Sequence, residues 1–166
     1  MTAARQRQVT RPRRGLWVAI GVLTCGIISP IAAVAAAFVH IVTDPQTGLA
    51  ISGFDPVAYF TDAAPERGRP GTEYNFGGTV WRFRNEGNRA AFAENPDVYS
   101  PQFGGYDPVA IARGTSVPGH PLFWLVTGQR LYLFYSAEDR AAFGVESQRF
   151  IEAAERNWPV VQRTLP

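Results

Sequence analysis

At 166 residues, with 46% hydrophobic and 13% aromatic content, the chain can bury the core of one ordinary domain, which excludes a disordered protein. All sixteen positive residues are arginines, five of them (Arg5, Arg7, Arg11, Arg13, Arg14) ahead of the first apolar run; beyond it eleven arginines face all fourteen acids, a net of −3. The formal charge of +2 therefore belongs to a tail, and a domain without clustered positive charge lacks the electrostatic support that nucleic-acid binding needs.

In chain order, residues 1–14 form the arginine-rich tail. Gly15 to Val39 then run for twenty-five residues without a charge, more than the roughly 20 that span a hydrocarbon core as a helix. Arginines on one flank only predict a cytoplasmic N-terminus and an exported remainder. An uncleaved inner-membrane anchor is favoured, because the apolar run exceeds the roughly 7–15 residues of a signal peptide's core. The alternative is a leader cleaved at Ala33-Val34-Ala35 or Ala35-Ala36-Ala37, which would release the domain to the periplasm. Arg13-Arg14 ahead of Leu16-Trp17 faintly suggests a twin-arginine signal, although Pro12 stands where such signals carry Ser or Thr. Cys25, the single cysteine, reads as a thiol within the membrane, so the exported part has neither a disulfide nor a thiolate ligand.

Residues 40–50 read as a linker, and 51–158 as a domain written twice, over 51–102 and 103–158. "GFDPVA" (Gly53 to Ala58) returns as "GYDPVA" (Gly105 to Ala110), and Thr79 to Phe92 aligns without gaps on Arg130 to Phe143 at a shift of 51. Asp before Pro is a helix start: the carboxylate accepts a backbone N–H, and Pro takes the first helical position, where it has no donor to lose. Asp55-Pro56 and Asp107-Pro108 should each open a short helix. Glu73–Phe76 with Val80–Arg84 around Gly77-Gly78, and Phe123–Val126 with Leu131–Tyr135 around Thr127-Gly128-Gln129, read as hairpins. Each leads into a helix bearing "RAAF", ending in Phe92 or Phe143. Glu146 to Trp158 predicts an amphipathic helix with Phe150, Ile151 and Ala154 inward, ending before Pro159; residues 159–166 form a C-terminal tail. The fold class is α+β: a small antiparallel sheet from two hairpins with short helices packed on one side, preceded by one N-terminal transmembrane helix.

From Ser52 to Tyr135, "SGFDPVAYF", "NFGGTVWRFRNEGNRAAFAENPDVYSPQFGGYDPVAIARG" and "GQRLYLFYS" together resemble the exported YHS-domain proteins. The resemblance implies a small α+β domain and, in some branches, an association with metals, chiefly copper. Many exported members carry Cys after Gly-Gly-Tyr. Here that position is Asp107, which removes the principal ligand.

The candidate ligand-binding residues are Gly104, Gly105, Tyr106, Asp107 and His120. Glycines at 104 and 105 would let backbone come close to a ligand. Asp107 offers a hard oxygen, although its helix-capping role is already a complete structural use. His120, in "VPGHPLFW", reads as a loop histidine; with Asp107 it is the best available pair for a metal, short of the three or four ligands a transition-metal site uses. His40 reads as lying at the membrane surface. Tyr59, Phe60, Tyr74, Trp81, Tyr99, Phe103, Tyr106, Trp124 and Tyr132 read as core aromatics, with a flat apolar ligand as the alternative. There is no lysine for a Schiff base, no G-x-S-x-G elbow, no H-E-x-x-H and no P-loop glycine pattern. The expectation is a membrane-anchored, non-catalytic binding or accessory module for which the sequence requires no cofactor and leaves a metal open, contacting the membrane through 15–39 and an envelope protein through its domain. The alternative is a copper- or zinc-handling protein using His120 and carboxylates.

Overall fold

Each hairpin is closed by two residues with positive φ, a backbone that matches the twist of paired strands. They are Gly77 (62°) and Gly78 (77°) in the first hairpin, and Gly128 (57°) and Gln129 (58°) in the second. The computed structural model describes residues 40–165; the arginine tail, the expected membrane segment and Cys25 lie outside them. Strand β1 (Glu73–Phe76) pairs antiparallel with β2 (Thr79–Arg82), and β3 (His120–Thr127) with β4 (Arg130–Phe134). Registers agree at the shift of 51: Tyr74 faces Trp81, and Leu125 faces Tyr132. No helix among the described residues is long and apolar enough to cross a membrane.

The α+β class holds, but the hairpins form two separate two-stranded sheets and not one. The free side of β2 is taken by another part of the chain, since the Ala50 N–H donates to the Val80 carbonyl at 2.9 Å. Side chains join the two sheets instead: Trp81 and Phe83 from the first hairpin share a core with Leu131 and Leu133 from the second. Residues 40–50, expected as a linker, are part of this assembly. Ile41, Leu49 and Ala50 are buried, and the Val42 N–H donates to Gly104 at 2.8 Å while the Ile51 N–H donates to Val42 at 3.0 Å. Apolar residues of this stretch leave water only by docking, which a free linker would forbid.

The helices are α1 (Ala58–Thr61), α2 (Glu86–Glu94), α3 (Pro96–Tyr99), α4 (Pro108–Ala112) and α5 (Ala137–Val161). The halves repeat one another well beyond their letters. Asn85 caps α2 by accepting from Asn88 N–H, and Ser136 caps α5 by accepting from Asp139 N–H, 51 positions on. Phe92 packs on Trp81 and Phe83, as Phe143 does on Tyr132 and Phe134. Asn95 breaks the first helix with φ −139° and ψ 59°; Glu146, 51 residues later, kinks the second with φ −129° and ψ 42°. After Asn95 the chain turns into α3, whereas after Glu146 it continues as the second arm of α5.

That arm overruns the expected stop at Trp158. Pro159 lies inside the helix, and the last turn is held because Val161, only 4% exposed, packs with Ile111 of α4 and Ala154. The expected tail therefore begins as helix and passes into a 3₁₀ turn over Gln162–Thr164. Ala154 is buried and Phe150 and Ile151 half-buried, as their spacing predicts. Asn157 Nδ2 donates to the Ile111 and Ala112 carbonyls, both at 3.0 Å, satisfying the end of α4.

Candidate functional site

The Asp-Pro pairs do open helical turns, with one displacement. Asp107 Oδ1 accepts from Val109 N–H at 2.7 Å and from Ala110 N–H at 3.4 Å, and α4 begins at Pro108. Asp55 Oδ1 accepts from Val57 N–H at 2.9 Å, but the regular helix starts only at Ala58. Both carboxylates are fully buried. What sequence reasoning missed is the other oxygen. Asp107 Oδ2 accepts from Tyr135 N–H at 2.8 Å, where β4 ends. Asp55 Oδ2 accepts from Arg84 N–H at 2.9 Å, just past β2, and also from Asn88 Nδ2 at 2.7 Å. Each aspartate thus ties a helix start to the exit of its own half's hairpin. No sequence signal singles these partners out: Arg84 and Tyr135 correspond at the 51-residue shift, but so does every other pair in that aligned run.

Burial is the largest influence on Asp107 and raises its pKa, against the backbone N–H groups that lower it. The folded chain then holds this proton more tightly than the unfolded chain. The stability that Asp107 contributes through ionisation is complete below the ordinary carboxylate value of about 3.9 and is lost as pH rises through the raised value. The stability gap between the native protein and Asp107→Asn should accordingly narrow from pH 3 to pH 7 in denaturant titrations. A gap that widens with pH would contradict this assignment.

Gly104 and Gly105 do permit a close approach, but the approaching group is the chain itself. Gly104 has φ +64°, and a Cβ there would run into the His40 carbonyl oxygen. The close backbone contact expected for a ligand is filled by residues 40–42. Tyr106 is half-buried, its ring 6.0 Å from Trp158; burial raises its pKa. It also lines a cleft of about 450 Å³ with His40–Thr43, Thr79 and Pro118.

His120 is not in a loop. It opens β3, pairs with Phe134, and is exposed, its Nδ1 accepting from Leu122 N–H at 3.2 Å. The chain bulges between His120 and Trp124, and the buried Tyr59 hydroxyl pins that bulge by donating to the Pro121 carbonyl at 3.0 Å. Burial, then the nearby Asp55, raises the Tyr59 pKa strongly. The structure does not bring His120 and Asp107 together as ligands: one is at the surface, and the other is enclosed with both oxygens bonded to backbone. Among the described residues no three His, Cys, Asp or Glu side chains gather as a metal set.

Of the aromatics, Tyr59, Trp81 and Tyr132 are buried, and Phe60, Tyr74, Tyr99, Phe103, Tyr106 and Trp124 are half-buried against the three core clusters. Compared with known proteins, the chain significantly matches no family model, no curated protein and no solved structure.

Proposed function

We propose that this protein is an exported, YHS-like module held at the inner membrane by residues 15–39, with its N-terminus in the cytoplasm and its domain on the periplasmic side, serving a non-catalytic binding or accessory role toward an envelope protein. One observation carries the non-catalytic part. The two buried carboxylates, which in a catalytic site would be free to take or give protons, each spend both oxygens on backbone N–H groups. The apolar run flanked by arginines on one side supports the placement, and the quoted segments from Ser52 to Tyr135 support the family resemblance.

Alkaline phosphatase fused after Pro166 of the full chain tests the placement. The fusion is expected to be active and to stay with membranes after a carbonate wash; an inactive fusion recovered from the cytosol would overturn the reading. Stoichiometric copper or zinc uptake by the purified full chain, abolished by His120→Ala, would replace the binding-module reading with the metal-handling one.

A further inference from the structure

The charge-free run ends at Val39, and the domain takes hold of the chain almost at once. The His40 carbonyl packs on Gly104 so closely that a Cβ there would collide with its oxygen. Ile41 is buried. Val42 is fixed on both sides, its N–H donating to the Gly104 carbonyl at 2.8 Å and its carbonyl accepting from Ile51 N–H at 3.0 Å. Thr43 continues the dock as a bridge to Ala50.

The surface around this entry point carries little charge. Residues 40–43, Thr79, Tyr106 and Pro118 line one cleft, with no acid, arginine or lysine among them. The exposed turn Gly77-Gly78 adjoins it, a Cβ on Gly77 falling 3.9 Å from the Ile41 side chain. Asp44, next in the chain, turns its carboxylate into its own loop, accepting from Gln46 N–H at 3.0 Å and Thr47 N–H at 2.9 Å. The half-buried rings of Tyr106 and Trp158 lie 6.0 Å apart, and these are the two ring types that settle at membrane–water interfaces.

We infer that this face, around His40, Thr79, Tyr106 and Pro118, rests on the lipid headgroups, and that the short connection to Val39 holds the domain there in one orientation instead of letting it swing on a tether. The inference rests on the reading of 15–39 as an uncleaved anchor and adds which face of the domain meets lipid. Ile41, the first buried residue, lies two residues past Val39, at most about 7 Å of chain at roughly 3.3–3.6 Å per residue. The headgroup layer is itself about 5–7 Å deep, so no room remains for a water-filled gap. A span of only about 20 residues would free the last part of the run, but that part is apolar and stays against lipid in preference to extending into water. An uncharged face comes down there at little cost, whereas carboxylates would give up their water beside lipid phosphates.

The test places the full chain in phosphatidylcholine nanodiscs doped with a lipid whose headgroup chelates gadolinium, and reads amide proton relaxation residue by residue. The amides of Thr43, Thr79 and Tyr106, set against a headgroup layer about 5–7 Å deep, should show at least about three times the mean enhancement of the exposed domain residues. Inserting twelve Gly/Ser residues between Val39 and His40 supplies a tether of up to about 40 Å and should return all three amides to that mean. Enhancement spread evenly over the domain, enhancement centred on another face, or a pattern unchanged by the insertion would each overturn the inference. A chain that does not stay with the nanodisc, like an inactive phosphatase fusion, would remove the anchor reading and this face with it, whereas even enhancement in a retained chain removes the face alone.

Discussion

Replacing Asp107 with alanine is expected to cost about 2–4 kcal/mol, a large share of the roughly 5–15 kcal/mol that holds a typical domain folded. Three backbone N–H groups, those of Val109, Ala110 and Tyr135, would lose their acceptor at once. The first two are orphan donors at the start of α4, and losing such a cap costs about 1 kcal/mol. The third lies just past the end of β4 in a partly buried bond, and a donor enclosed there without a partner costs about 1–3 kcal/mol more. Asp55→Ala should fall in the same range, since it strips Val57 N–H, Arg84 N–H and the Asn88 amide of one buried partner. Denaturant unfolding followed by tryptophan fluorescence reads both variants. A loss below about 1 kcal/mol in either would mean that water enters and replaces the carboxylate.

The difference between those two residues shows how far the sequence reached. "DPVA" correctly announced a helical turn twice, because capping is local chemistry between residues two or three apart. The second oxygen of each aspartate acts across 28 or 29 positions, and nothing within the six-letter motif encodes that partner. The hairpins were legible for the same local reason, through turn residues flanked by alternating strands. Whether they would merge into one sheet was not legible, because that depends on what covers β2. The covering segment, 49–50, has no strand pattern of its own and is placed by burial. Gly104 had a readable property, freedom to accept close backbone, but the identity of what comes close is a matter of tertiary packing. His120 was misplaced because Gly119 and Pro121 are turn residues in isolation, whereas in the fold they flank the first residue of a bulged strand. Trp158-Pro159 likewise signals a stop, which burial of Val161 overrides.

Phe92→Ala should be the most damaging core substitution, at about 4–5 kcal/mol, and should exceed Phe143→Ala by about 1 kcal/mol although the two residues are equivalent by position. Phe92 touches four rings, with centroid distances of 4.9 Å to Trp81, 5.2 Å to Phe83, 5.8 Å to Phe76 and 6.3 Å to Tyr74. Truncating it leaves a void walled by side chains from both strands of the first hairpin, and rigid rings collapse into such a space poorly. Phe143 touches Tyr132 and Phe134, each at 5.0 Å, and Phe150 at 6.3 Å, and it also borders an open cleft that Thr127 and Gly144 help to line. Contacts never made there cannot be lost on truncation, and solvent can fill the enlarged space. Parallel unfolding curves for the two alanine variants decide the matter: equal losses, or a larger one at Phe143, would mean that the second half is as tightly filled as the first.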